Sequence, residues 1–119
     1  MRRRSDFVIV AVFAATLLLV VGDAAAEPQV FELSIRSGEL PVEQRVIRVR
    51  QGDDVTLRWT TDKALTLHLH GYDIEQRLTP HKPVQMRFTA RATGRFPIET
   101  HAHGRGGERT LAYVEVHPR

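Results

Sequence analysis

Beyond its first 26 residues the chain follows one pattern: short runs with apolar side chains at every second position, and no window of helical length with a 3.6-residue apolar period. Strand side chains alternate between two faces, so each run predicts a half-buried strand. Phe31, Leu33 and Ile35 alternate with Glu32, Ser34 and Arg36, until Gly38 and Pro41 break the pattern. Val46–Arg50 begins a second run, Gln51-Gly52-Asp53-Asp54 reads as a turn, and Val55, Leu57 and Trp59 then alternate with Thr56, Arg58 and Thr60. Leu65, Leu67 and Leu69 share one face, with Thr66, His68 and His70 on the other. Tyr72–Glu75 is extended, Pro80 and Pro83 mark a loop, and Val84, Met86 and Phe88 alternate again. Phe96 and Ile98 alternate with Arg95, Pro97 and Glu99, where Pro97 predicts an edge or a bulge. Thr100–Gly107 reads as a Gly-rich loop before a last strand, Leu111–Val116. About seven strands at spacings of roughly 8 to 12 residues predict an all-β fold, an antiparallel Greek-key sandwich.

The first 26 residues are different. Arg2–Arg4 form a basic start, Phe7–Val21 is a run of 15 residues interrupted only by Thr16, and Ala24-Ala25-Ala26 is a small-residue cleavage site. This is the pattern of a secretory signal, and the run falls short of the ~20 residues of a membrane span. The expected organisation is a signal peptide at 1–26 and one domain at 27–119, periplasmic or secreted. Retention as an anchor is the alternative.

The net charge of +3 falls to +2 when Arg2–Arg4, Asp6 and Asp23 are removed, and the remaining basic residues are scattered singly. No concentrated basic face for nucleic acid is expected. The chain has no cysteine, which excludes a disulfide, a cysteine nucleophile and a zinc–thiolate cluster. Ser34 and Ser37, the only serines after residue 26, have no base paired with them, and Gly104-Arg105-Gly106-Gly107 lacks the lysine of a phosphate loop. The expectation is a binding protein, not an enzyme.

Four of the six histidines form two His-x-His pairs, His68 with His70 and His101 with His103. Residues two apart in a strand point the same way, so the first pair addresses one spot. The second lies in the Gly-rich stretch. Neutral imidazole is a common metal ligand, and an all-nitrogen site suits copper(II), nickel or zinc. If the fold gathers both pairs at one pole, the four rings can grip one cation. The competing reading is that each pair is simply the wet face of a strand. His81 between two prolines and His117 near the terminus read as solvated residues.

Three stretches resemble the cupredoxin family of small copper-binding sandwiches. Val49–Trp59 is similar to its strand–turn–strand pattern with Gly-Asp at the turn, His70-Gly71-Tyr72 to its first ligand histidine, and Gly94–His103 to the late segment carrying a ligand cysteine and histidine. The resemblance implies a cupredoxin-like fold with His70 and His103 as metal ligands. It places Thr100 at the cysteine and Glu108 near the axial methionine. Without the thiolate, a blue-copper centre is not expected. The implied site is one in which His68 and His101 join His70 and His103, with Glu99, Glu108 and Asp73 either contributing carboxylates or fixing the tautomer and orientation of the imidazoles. Copper is the expected cofactor, with zinc second. The expected partners are the metal ion and an exported or membrane-bound copper-handling protein. Storage, delivery or tolerance would be the role. The alternative is a metal-free accessory or protein-interaction module.

Overall fold

The computed structural model describes residues 26, 28–102 and 107–119. The expected signal segment, apart from Ala26, and His103 lie outside them. Eight strands are described: β1 (Pro28–Ile35), β2 (Val46–Arg50), β3 (Asp54–Thr61), β4 (Leu65–Leu69), β5 (Ile74–Leu78), β6 (Val84–Thr89), β7 (Gly94–Ala102) and β8 (Arg109–His117). They form a three-stranded sheet, β1-β3-β6, and a five-stranded sheet, β2-β8-β7-β4-β5. The chain changes sheet at each of its first three connections, so β1 and β3 become neighbours without being consecutive. Both β1–β3 and β2–β8 are parallel pairs, while the other described ladders are antiparallel. The Greek-key sandwich is present, with mixed sheets.

The alternating pattern places the core. Leu57 and Trp59 of the small sheet face Leu67, Leu69, Ile98 and Val114 of the large one, and all are at or near zero exposure. Removing these side chains from water is the main favourable term of the fold. Tyr72, Phe88 and Phe96, partly buried, pack against this core. The Gly-Asp turn carries the chain from β2 to β3 between sheets. Gly52 has φ 90°, and the buried Asp53 carboxylate accepts from Arg50 N at 2.9 Å and pairs with Arg119. Among the described residues no helix is long and apolar enough to cross a membrane.

Pro97 lies in a central strand next to a bulge, because the register of β7 against β8 shifts between Ile98 and Glu99. It is tolerated there because β4 is ending. His70 N donates to Pro97 O at 3.0 Å, one position past β4, so the missing proline N–H removes only the last rung of the ladder. Of the two expectations for Pro97, the bulge is the one the structure shows.

Candidate metal centre

Strand parity builds the site on the outer face of the five-stranded sheet. In β4 the three leucines turn inward, leaving Thr66 and His68 outward, and His70 continues that face into the turn. In β7 Ile98 and Thr100 point to the core, and Glu99 and His101 lie on the opposite face, half-buried. The register sets Glu99 opposite His68 and His101 opposite Thr66. Thr100 and His101 therefore belong to a strand and not, as the glycines suggested, to a loop.

Within this face the His68 and His70 rings lie together, 4.3 Å between centroids at 48°. His70 Nε2 stands 2.9 Å from Glu99 Oε2. Both atoms are shut off from solvent, and among the described residues neither has a properly directed hydrogen bond. The His70 ring, at hydrogen-bonding distance, holds the Glu99 carboxyl below its ordinary range against the opposing effect of burial, with further lowering from Glu108 and from the charges of His70 and His68. His68 Nε2 is 3.8 Å from Asp73 Oδ1, on a fully exposed side chain. His101 Nε2 is 3.0 Å from Glu108 Oε1.

The first His-x-His pair is thus brought together as the spacing predicted. His101 lies on the same face four rungs from His70, about 13 Å along the strands. It pairs with its own carboxylate. Among the described residues no three histidine, aspartate or glutamate side chains converge closely enough to hold a metal ion. The gathering point is a sheet face and not a loop pole. Thr100, which the resemblance aligns with the ligand cysteine, is 8% exposed and faces the core opposite Leu67. His81 adopts a left-handed backbone in its loop, with φ 62°. His117 lies 3.4 Å from Glu115.

Sequence reasoning did not find the residues that hold His70 in place. Gly71 has φ 82°, and a Cβ there would meet the Phe96 ring at 2.4 Å. The same ring lies 5.1 Å, edge-on, from Tyr72, whose ring is tilted against that of Phe88 at 4.8 Å and whose hydroxyl donates to Ala92 O at 3.3 Å. The turn after His70 is clamped by aromatics. The signal for this was the glycine next to His70, followed by an aromatic.

No family model and no curated protein sequence matches the chain. Solved structures do. A heme-copper terminal oxidase is similar at TM-score 0.60 and 18% identity, over 74% of this chain and 64% of that one. The Blue Copper Oxidase from Nitrosomonas europaea is similar at TM-score 0.63 and 19% identity, over 78% of this chain and 39% of that one. A copper binding protein solved by NMR in the apo form is similar at TM-score 0.56 and 11% identity, over 73% of this chain and 85% of that one. The chain spans less than two thirds of either oxidase chain. These neighbours are copper-associated, but at such identities the likeness speaks for architecture alone. By that measure, the described chain folds as a cupredoxin-like β-sandwich.

Proposed function

We propose that this chain is an exported metal-binding protein that holds copper through histidines for storage, delivery or tolerance, and that it neither transfers electrons as a blue-copper protein nor acts as an enzyme. One observation carries the reading: His70 Nε2 and Glu99 Oε2 face one another at 2.9 Å, sealed from water, without a directed hydrogen bond. Buried polar atoms are rarely left in this way, and an ion is one explanation. An imidazole nitrogen and a carboxylate oxygen are both donors to divalent metals.

The His68 ring lies beside that of His70, tilted against it at 48°, and adds a second imidazole to the same face. His101 extends the donor row along the face, and His103 follows it two residues later in the sequence. Bound copper(II) would bring the positive charge that this row of lone pairs is disposed to meet. The open sheet face leaves room for an exported or membrane-bound copper-handling partner to approach.

Titration of the exported form with copper(II) is expected to give stoichiometric binding, a nitrogen-rich paramagnetic resonance spectrum and no intense blue colour. Affinity falls as pH drops through the histidine range, because protons compete for the ring nitrogens. Combining His70→Ala with Glu99→Gln is expected to weaken binding at least about tenfold. Undiminished binding by that double variant overturns the reading. The metal-free accessory module draws support from the lack of any convergent three-group cluster among the described residues. It predicts thermal melts indifferent to copper(II) and to chelator.

A further inference from the structure

The outer face of the five-stranded sheet is divided by charge along its strands. At one end Arg48, Glu115 and Arg95 stand abreast, with Arg50 beside His117 further out. Glu115 lies 3.4 Å from both Arg48 and His117 and 3.9 Å from Arg95, so three arginines share this end with one carboxylate. The other end has the opposite sign. Glu75 and Glu99 flank His68, Asp73 lies 3.8 Å from His68, and Glu108 lies 3.0 Å from His101. Arg77, opposite Thr66, sets one positive charge against these four carboxylates.

Between the two ends Val46, Tyr113 and Pro97 stand abreast in an uncharged row. Each is partly exposed, and the Arg95 guanidinium lies 3.9 Å over the Tyr113 ring. Spacing about this row is even. Along β7, Arg95 lies two residues before Pro97 and Glu99 two residues after it. His117 lies four residues beyond Tyr113 on one side, and Glu108 lies on the other at the level of His101, four residues beyond Pro97. Successive outward residues of a strand are about 6.6 Å apart. A two-fold axis along the uncharged row therefore carries Arg95 over Glu99 of a second copy, and His117, with Arg50 beside it, over Glu108. Symmetry repeats both pairings, because the same patch serves on both sides. A copy laid down in the same direction would set like charge on like.

We propose that the outer face of the five-stranded sheet is the contact surface of a symmetric dimer, in which the basic end of each copy meets the acidic end of the other and Val46, Tyr113 and Pro97 pack at the centre. A tyrosine-bearing apolar centre within a charged rim matches the anatomy of protein interfaces. Exposed ion pairs contribute little singly and are screened by salt, so the association is weak and sensitive to ionic strength. It uses no metal and stands apart from the copper reading.

The test is sedimentation equilibrium of the exported form with chelator present throughout. A dimer is expected at ~0.02 M salt, with association at least about tenfold weaker at ~0.5 M. Arg50→Glu combined with His117→Glu makes one variant, and Glu108→Lys another. Each sets like charges across the axis, and each alone should be monomeric at low salt. All three side chains are exposed, and unchanged circular dichroism checks that the variants fold. Mixed one to one, the two variants face each other with opposite charges and should form a heterodimer. A wild type that is monomeric at low salt overturns the proposal and leaves copper binding intact. Variants that dimerise as the wild type does, or a mixture that stays monomeric, overturn it as well.

Discussion

Substituting Gly71→Ala perturbs the candidate site without changing any of its histidine or carboxylate side chains. Two costs can be worked from the structure. At φ 82° a residue with a Cβ is in the left-handed region, at about 1–2 kcal/mol. The new methyl would also sit 2.4 Å and 2.7 Å from two carbons of the Phe96 ring, which must then leave a cluster shared with Tyr72 and Phe88. Overpacking of this kind costs about 1–3 kcal/mol. The sum has a midrange near 3.5 kcal/mol. A domain of this size loses about 4–8 °C per kcal/mol, so a fall of at least about 10 °C is expected in thermal melts of metal-free protein followed by circular dichroism. A double-mutant cycle with Phe96→Ala separates the two costs. In that background the clash is gone, and Gly71→Ala should cost only the backbone strain, leaving a coupling of about 1–3 kcal/mol. A melt within about 4 °C of wild type, or equal costs in both backgrounds, refutes the claim that the ring clamps this turn. Because His70 N is tied to Pro97 at the start of the turn, the same substitution should also weaken copper(II) binding.

Two further perturbations address charge and parity. In metal-free protein the Glu99 carboxyl sits below its ordinary 4.5, chiefly through His70; its contribution is complete above that value and is lost as pH falls through the lowered value. Glu99→Gln should therefore flatten the acid limb of stability, measured as denaturant midpoints above and below 4.5, and an unchanged limb refutes the pairing. Thr100→Cys should bind copper(II) without acquiring a blue colour, because that side chain faces the core opposite Leu67. An intense visible band after loading would show that position 100 reaches the metal.

Much of the architecture was legible because a sheet with one buried face imposes a period of two on its sequence. The inward leucines of β4, the outward Thr66, His68 and His70, and the alternation of Ile98 with Glu99 could all be read directly. Pairing was less accessible. Nothing in Val46–Arg50 says that it lies beside the last strand, parallel to it, while the next strand joins the other sheet. The contact between His70 and Glu99 depends on the register of β4 against β7, which no local pattern encodes. The glycines at 104, 106 and 107 drew the preceding residues into an expected loop, whereas β7 continues to Ala102.

That extension changes what the resemblance can transfer. Read as a loop, Thr100–His103 can turn any of its side chains toward an ion, and the spacing between a ligand cysteine and a ligand histidine is then the informative quantity. Read as a strand, residues 99, 100 and 101 alternate, and parity decides first. Glu99 and His101 share a face with His68, while Thr100 is committed to the core by the same alternation that buries Ile98. Two neighbours on one strand cannot both serve an outer site, so the position aligned with the thiolate is the one position of the three that strand geometry withholds from it. A carboxylate one residue earlier takes the place beside His70. Under the proposed function the donors on offer would be oxygen and nitrogen instead of sulfur and nitrogen, a set that favours copper(II).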